Sequence, residues 1–329
     1  SFDKKLKDLG HEVIWFFPNQ ADFGGYASLT IHQHKEKTLE DDVITYLINN
    51  NKKPQTIFFH FIELFSKKLN KIRKLTQTKI IVTDHNPRPV GGYTLKKQIK
   101  KKINGFRFKN SIDKIISVSE RSKADLVKDF GSFHLKKNIV IHNGIKTDNF
   151  LKKIDFNYKG QFIVACNLRK EKGIQDLLDV LADIDKNHKF NYHIDIFGEG
   201  IYENYLKRKA KQLNLTSHVF FKGGTDKLSK IYKDYDYLIH PSYSETYCFT
   251  VVEAYVSNLP VITTENAGNI LKLIHTSKYN NGFLFPPKNK TKLYNILINI
   301  LSNKFTLKPK QNSYDLDISN MTQQYIKLV

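Results

Sequence analysis

The stretch "QFIVACNLRKEKGIQDLLDVLADIDKNHKFNYHIDIF", residues 161–197, contains a complete strand–helix–strand pattern. Residues 161–166 and 192–197 are short and almost continuously apolar, whereas residues 173–185 repeat apolar side chains at helical spacing. Continuous apolar runs are typical of strands covered on both faces, because polar residues alternate only where one face meets water. The stretch therefore predicts two parallel strands joined by a helix.

The same alternation extends along the whole chain. Further strands are predicted at residues 12–17, 56–62, 79–83, 114–118, 138–141, 218–222, 236–240, 260–264 and 282–285. Further helices are predicted at residues 39–50, 63–75, 120–130 and 201–213, with an opening helix that ends at Gly10. This is an α/β pattern in which each half forms a Rossmann-like, doubly wound parallel sheet. Ligands bind beyond the carboxyl ends of such strands, so two facing sheets predict an interdomain cleft.

The length favours two domains. A chain of 329 residues with 40% apolar content supports two cores of ordinary size. A turn-forming Asn-Gly at 143–144 begins a polar stretch. We predict one domain at 1–150, a second at 151–312, and a final helix at 313–329 that packs back on the first domain. Because the chain opens in a helix, we expect the native first strand of the first domain to be missing from it.

The net charge is +21, and residues 1–150 hold 28 Lys and Arg against 15 Asp and Glu. Such a field favours anionic partners, although a lysine-rich solvated surface explains it equally well. No apolar run is long enough to cross a bilayer. Cys166 and Cys248 have neither metal-ligand nor redox spacing. We expect a cytoplasmic protein, with peripheral binding to the inner face of the membrane as a further option.

Two acidic residues flank a predicted helix start in "SETYCFTVVEA", residues 244–254. The two carboxylates converge most easily if Glu245 lies in the loop and Glu253 in the first turn of the helix. Backbone amides at Cys248, Phe249 and Thr250 would then face an anion such as a diphosphate, and the carboxylates could accept hydrogen bonds from sugar hydroxyls. The alternative is that Thr250-x-x-Glu253 is a capping box, which needs no ligand.

A second charged stretch follows the strand at 161–166. It places Arg169, Lys170 and Lys172 before Gly173, where a helix is predicted to begin. Cations at this position could bind phosphates. The alternative is an ordinary solvated helix start.

Together these stretches resemble the retaining family 4 glycosyltransferases, two-domain enzymes of GT-B architecture with an E-x7-E motif. The resemblance rests on "IDIFGEG" (194–200), the pair Glu245 and Glu253, and "NGFLFPPKN" (281–289). In the first half it includes "LKDLGHEV" (6–13), "VTDHN" (82–86) and "IHNGI" (141–145). It covers most of the chain, and the E-x7-E pair is its most specific element.

The resemblance implies a role for each matching residue. Glu245 would face the donor sugar, Glu253 would hold the ribose of a nucleotide sugar, and Lys172 would contact the donor phosphates. The donor site would also include Gly198 and the amides of Phe249 and Thr250. His85 would lie near the transferred sugar, although a histidine between Asp84 and Asn86 at a strand end also has a purely structural explanation. Catalysis is thus expected from Glu245, His85 and Lys172.

One departure concerns the phosphate site. Where the family usually has Gly-Arg, this chain has Cys166 and Asn167, so we expect Arg169 to supply the missing guanidinium. The resemblance implies retaining transfer from a nucleotide sugar, expected to be UDP-linked, with no metal or other cofactor. Asp-x-Asp triplets begin at Asp183, Asp234 and Asp315. None is placed at the ligand-facing end of a predicted strand, where a metal on a diphosphate would need it.

The acceptor is expected at the basic first domain. Residues 94–110, "TLKKQIKKKINGFRFKN", interleave apolar side chains with lysines. This composition suits an anionic membrane surface, a lipid-linked glycan or another anionic acceptor. The predicted surface consists of Lys96, Lys97, Lys100, Lys101 and Lys102. The alternative function is a non-enzymatic binder of nucleic acid or another polyanion, but no helix-turn-helix, RNP-type or zinc pattern supports nucleic acid as a partner.

Overall fold

The computed structural model describes residues 2–18, 26–32, 35–265, 268, 281–309 and 316–329. The chain divides into two compact units. The first comprises residues 1–86, 93–142 and 319–329, and the second comprises residues 87–92 and 143–318. The division after His142 lies earlier than the predicted boundary at 150, because Ile145 forms a parallel bridge with Asp317 inside the second unit.

The first unit is built on a four-stranded parallel sheet in the order β3-β4-β5-β6, and a separate two-stranded parallel sheet pairs β1 with β2. Its strands are β1 (Trp15–Phe16), β2 (Ile31–His32), β3 (Thr56–His60), β4 (Lys79–Asp84), β5 (Lys114–Ser117) and β6 (Asn138–Val140). Its helices are α1 (Phe2–Asp8), α2 (Leu39–Asn49), α3 (Lys67–Thr76), α4 (Leu95–Arg107) and α5 (Glu120–Phe130).

Two predicted elements of the first unit begin three or four residues later in the structure, whereas the others differ by at most two residues at an end. The strand predicted at 12–17 is only the two-residue β1, whose side chains are half-buried against a single neighbouring strand. Helix α3 begins at Lys67 rather than 63, because the Ser66 side chain accepts a hydrogen bond from the Leu69 amide and caps it. Phe65, with φ of 55°, precedes this cap in the left-handed region.

The last helix, α11 (Ile318–Ile326), covers one face of the four-stranded sheet. Its Tyr325 ring packs with Ile81 and Ile116 of β4 and β5, and its hydroxyl lies 3.0 Å from the Thr83 hydroxyl. The C-terminal segment thus contributes to the core of the first unit.

The second unit is a six-stranded parallel sheet in the order β12-β11-β10-β7-β8-β9. Its strands are β7 (Gln161–Ala165), β8 (His193–Phe197), β9 (Val219–Gly223), β10 (Tyr237–His240), β11 (Val261–Thr264) and β12 (Gly282–Phe285). Its helices are α6 (Ile174–Asn187), α7 (Glu203–Gln212), α8 (Leu228–Ile231), α9 (Phe249–Val256) and α10 (Lys290–Asn303). This order is typical of dinucleotide-binding folds and confirms the predicted doubly wound sheet.

A large apolar core holds this sheet together. Val164, Ile196 and Ile239 are fully buried on neighbouring strands and pack with Leu177 of α6 and Leu297 of α10. The continuous apolar runs in the sequence therefore correspond to strands covered by helices. The strand order reverses between β7 and β10, and ligands of open α/β sheets bind at the carboxyl ends of the strands at such a point.

Candidate active site

Two glycines allow the loops after the central strands to approach closely. A Cβ atom on Gly198, just after β8, would lie 1.9 Å from the carbonyl oxygen of Cys166. A Cβ atom on Gly173, where φ is 71°, would lie 2.2 Å from the carbonyl oxygen of Pro241. The loops after β7, β8 and β10 thus converge at the point where the strand order reverses. Gly173 thereby brings Lys172 next to the loop that carries Glu245.

Glu245 is the centre of a largely buried ion network, since its side chain and that of Lys172 are 14% and 16% exposed. The Lys172 ammonium donates to its Oε1 atom, and His240 Nε2 lies 3.1 Å from the same oxygen. Burial by itself would raise the pKa of Glu245, but the hydrogen bond and charge of His240 and the charge of Lys172 lower it to about 2. Burial lowers the pKa of Lys172, and Glu245 raises it above its ordinary value. Glu245 is therefore a fixed anion and Lys172 a fixed cation.

His240 joins a thiol to this network. It ends β10, is almost fully buried, and its Nε2 atom lies 3.2 Å from the Cys248 Sγ atom. Burial lowers the pKa of His240, yet the neighbouring Cys248 and Glu245 raise it to about 9. His240, Glu245 and Cys248 bring one possible ligand atom each within 4.8 Å of one another. The sequence did not predict this cluster, since its members have no recognisable metal-ligand spacing.

Helix α9 begins at Phe249 with Cys248 as its N-cap residue, as the anion-site hypothesis required. The first amides of a helix have no acceptor within it, so those of Phe249 and Thr250 can bind an anion. The capping-box alternative is wrong. Thr250 lies inside the helix, and its hydroxyl donates to the carbonyl oxygen of Ala165 at 3.1 Å, which fixes α9 to the end of β7.

Glu253 has a different environment from Glu245. It is the fifth residue of α9 rather than part of its first turn, and the Tyr232 hydroxyl donates to its Oε2 atom at 3.0 Å. Burial raises the pKa of Glu253, while the hydrogen bond from Tyr232 lowers it and leaves a net rise. Tyr232 is fully buried and was not singled out from the sequence, because only the fold brings it beside Glu253.

These side chains surround a cavity of about 500 Å³ within the second unit. The cavity collects most of the residues predicted for the donor site, namely Lys172, Gly198, Glu245, Phe249, Thr250 and Glu253. Both cysteines, Cys166 and Cys248, also line it. Arg169 is exposed and does not belong to the lining, so the structure does not bring its guanidinium into this group.

His85 lies in the first unit, directly after β4. Its Nε2 atom is 3.0 Å from Nδ1 of His60, and the Phe61 ring stacks on it with centroids 4.4 Å apart. Burial lowers the pKa of both histidines to about 4, with the charge of His85 contributing for His60. Both rings are therefore neutral at neutral pH. The structure places His85 in a histidine pair, an arrangement that the sequence did not predict.

Helix α4 carries the predicted basic surface and exposes an apolar stripe along it. Leu95, Ile99, Ile103 and Phe106 are 73%, 52%, 57% and 65% exposed. At about 100° per residue, these positions fall within roughly 80° of the helix circumference. The exposed lysines beside the stripe are Lys96, Lys97, Lys100 and Lys102. The helix is therefore amphipathic, with its apolar face open.

Lys101 was predicted to belong to the basic surface, and this prediction is wrong. It is half-buried, and its Nζ atom lies 2.9 Å from Asp129 Oδ2 and 4.5 Å from the centre of the Phe130 ring. Gly105 follows one turn later, where a Cβ atom would lie 2.6 Å from the carbonyl oxygen of Phe130. This side of α4 packs on α5, so Lys101 stabilises the fold. Within the described ranges, no helix is long and apolar enough to span a bilayer.

Comparison with known proteins identifies two sequence families. Residues 147–315 match the family "Glycosyl transferases group 1", and residues 3–149 match "Glycosyltransferase Family 4". Among curated relatives, an Escherichia coli O-antigen biosynthesis glycosyltransferase is 33% identical over 138 residues, which cover 39% of this chain and 37% of the relative. The chain spans half or less of the length of the first curated relatives that it matches.

Solved structures share the fold at low sequence identity. A glycosyltransferase from Rickettsia africae superimposes with a TM-score of 0.74 at 16% identity, over 99% of this chain and 92% of that one. Anabaena HepE, solved with UDP and glucose, gives 0.69 at 16% identity over 91% and 86% of the two chains. These similarities confirm the predicted GT-B architecture of two Rossmann-like domains. With a family match over more than half of its residues, the chain belongs to the group 1 glycosyl transferases.

Proposed function

We propose that the chain is a retaining glycosyltransferase that moves a sugar from a nucleotide diphosphate sugar, UDP-linked, to an acceptor hydroxyl in cell-surface glycan or glycolipid assembly. The observation that carries this proposal is the arrangement of Lys172, Glu245 and Glu253 around one cavity at the strand reversal. Family membership supports sugar transfer, and the HepE complex with UDP and glucose supports the donor class.

The two acids would bind different parts of the donor. Glu245 is ionised and accepts hydrogen bonds, so it suits the hydroxyls of the transferred sugar. Glu253 is half-buried and oriented by Tyr232, so it suits the ribose hydroxyls. The amides that open α9 and the Lys172 ammonium would bind the diphosphate. An ammonium has three N–H donors, which lets Lys172 hold Glu245 and a phosphate oxygen together. Arg169 is exposed and outside the cavity lining, so it has no role in this proposal.

The transfer step follows from these positions. The bond between the anomeric carbon and the diphosphate oxygen breaks, and the acceptor oxygen forms its bond on the same face of the sugar. The acceptor proton passes to the departing phosphate, which carries the increasing negative charge. Lys172 and the helix amides stabilise that charge, so this site neutralises the diphosphate without a divalent cation. His85 would contribute as a neutral hydrogen-bonding group near the transferred sugar.

Helix α4 supports a membrane-bound or lipid-linked acceptor. An exposed apolar stripe flanked by lysines is suited to lie in the interface of an anionic bilayer. We therefore propose peripheral binding to the cytoplasmic face of the membrane, with lipid-linked or other anionic glycans as acceptors. Of the lysines predicted for this surface, Lys101 is excluded because it pairs with Asp129.

The experiment that tests this proposal is a sugar-transfer assay with the purified full chain. It uses a panel of nucleotide sugars as donors and lipid-linked glycans extracted from membranes as acceptors. We expect nucleotide release that depends on one UDP-sugar and on acceptor, and an α-linked product from an α-linked donor by NMR. An inverted product would overturn the retaining mechanism. Polyanion binding without nucleotide release from any donor would favour the alternative, a non-enzymatic binder.

A further inference from the structure

The cluster formed by His240, Glu245 and Cys248 has the composition of a transition-metal site. The three side chains come from the end of β10, the following loop and the N-cap position of α9. An imidazole, a carboxylate and a thiol are the three ligand types that zinc takes from proteins. Thiolate and imidazole select Zn²⁺, Co²⁺ and similar ions over Mg²⁺ and Ca²⁺.

The distances suit a four-coordinate ion. Zinc–nitrogen and zinc–oxygen bonds of about 2.0–2.2 Å and a zinc–sulfur bond of about 2.3 Å place tetrahedral ligand atoms roughly 3.4–3.6 Å apart. His240 Nε2 lies 3.1 Å from Glu245 Oε1 and 3.2 Å from Cys248 Sγ. The three ligand atoms all lie within 4.8 Å of one another, so side-chain shifts of about an ångström or less would bring them to this spacing. All three residues line the cavity, which supplies a path of entry for the ion.

We propose that His240, Glu245 and Cys248 bind a zinc-like divalent cation that inhibits the enzyme rather than serving its reaction. The ion would bind Glu245 Oε1, the atom to which Lys172 donates. Lys172 would then lose the hydrogen-bond acceptor that holds it in place. His240 Nδ1 has no hydrogen-bond partner among the described residues, whereas ligands of tightly held zinc usually have one. The ion is therefore exchangeable.

The metal site and the inhibition are separate claims. The site stands on the three ligand atoms alone, whereas the inhibition rests on the proposed function, since it requires Glu245 and Lys172 to act on a donor. A direct measurement of metal binding therefore tests the site whether or not transfer activity is found.

The test uses cobalt(II) as a spectroscopic probe of the full chain, purified without a histidine tag and kept under reducing conditions. We expect Co²⁺ to produce a thiolate-to-metal charge-transfer band and the visible bands of four-coordinate cobalt. Zn²⁺ should abolish both, while Mg²⁺ and Ca²⁺ should leave them unchanged. Failure to form the charge-transfer band would overturn the site.

Paired cysteine variants locate the ion. Cys248→Ser should weaken Zn²⁺ binding by more than about 100-fold, beyond the ~10–100-fold that follows loss of an outer-shell partner. Cys166→Ser is the matched control, since Cys166 lines the same cavity and burial raises the pKa of its thiol to about 12. It should keep the band. A band that survives Cys248→Ser, or that disappears in Cys166→Ser, would contradict the assignment.

A binding measurement then tests inhibition. UDP affinity should fall as Zn²⁺ is added to the parent chain and stay constant in Cys248→Ser, provided that this variant still binds UDP. Equal loss of UDP affinity in both proteins would show that Zn²⁺ acts elsewhere, or on UDP itself, and would overturn the inhibitory role.

Discussion

The buried network around Glu245 and the open face of α4 both use lysine, but in opposite ways. Lys172 lies in a cavity and is held by Glu245, whereas Lys96 and Lys100 are exposed beside an apolar stripe. Charges at a distance in water are screened by salt, while buried pairs are screened much less. The first region is thus suited to fix a small ligand, and the second to recognise an extended anionic surface.

The histidines of the two units differ in the same way. Burial lowers the pKa of both His240 and His85, but His240 faces Cys248 and Glu245 while His85 faces another histidine. The pKa of His240 therefore rises to about 9, and that of His85 falls to about 4. Neighbouring charge, rather than burial, decides which histidine carries a proton at neutral pH.

The largest expected effect concerns α4. Replacing Lys96, Lys97, Lys100 and Lys102 by Gln should weaken binding to anionic vesicles about 10³-fold, since each basic residue near such a surface contributes about 1 kcal/mol. Vesicle sedimentation at several salt concentrations measures it. The control replaces Lys53, Lys67, Lys71 and Lys74, exposed lysines of the same unit away from the stripe. If the control set loses the same vesicle affinity, binding depends on the overall positive charge of the protein and not on α4 in particular.

Lys172→Ala should lower kcat by about 10²–10³-fold, the cost of removing one group that stabilises charge in a transition state. Lys170→Ala is the matched control. Lys170 and Lys172 belong to one short 3-10 helix (Lys170–Lys172), but Lys170 is exposed and does not line the cavity. Steady-state transfer assays should also show full activity of the parent in excess EDTA. Inactivation by EDTA with rescue by Mn²⁺ would contradict the metal-free phosphate site.

Substitutions of Glu245 and Glu253 should have different effects on kcat and on UDP affinity. Glu245→Gln should lower kcat more than UDP affinity, whereas Glu253→Gln should weaken UDP binding by about 10–100-fold, since a hydrogen bond to a charged group contributes about 1.5–3 kcal/mol. Calorimetry with UDP and transfer kinetics measure both. Unchanged UDP affinity in Glu253→Gln would show that Glu253 does not bind the ribose.

The smallest expected effect is the pH dependence of stability. His60 and His85 titrate at about 4 when folded against 6.5 ordinarily, so their contribution is present above pH 6.5 and is lost as the pH falls towards 4. His240 has the opposite sign, since its contribution is present below pH 6.5 and is lost as the pH rises through about 9.

NMR titration of the histidine ring protons tests these windows, with His85→Asn and His240→Asn to assign the signals. The variants should also flatten the melting-temperature profile, on the acid side for His85→Asn and on the alkaline side for His240→Asn. A His240 pKa below 6.5 would show that burial outweighs the effect of Cys248 and Glu245 on this ring.

The α/β fold class is readable from the amino-acid sequence, because each strand is a local apolar run and each helix has a local periodicity. Residues 120–130 and 282–285 have the predicted bounds. The sequence also predicts that Glu245 and Glu253 flank a helix start, since a turn and an amphipathic segment are both readable locally. The start of helix α3 was predicted four residues too early. The apolar pattern continues across residue 66, whereas the Ser66 side chain caps the helix and makes it begin at Lys67.

Which of these residues act together depends on contacts that form only in the folded chain. Tyr232 reaches Glu253 across 21 positions and Lys172 reaches Glu245 across 73, and no local pattern encodes contacts made where strands from distant parts of the chain end side by side. The same holds for Lys101, which has the sequence context of a surface lysine yet packs on Phe130. Periodicity specifies a helix, but the direction that each side chain faces depends on what the fold places beside it.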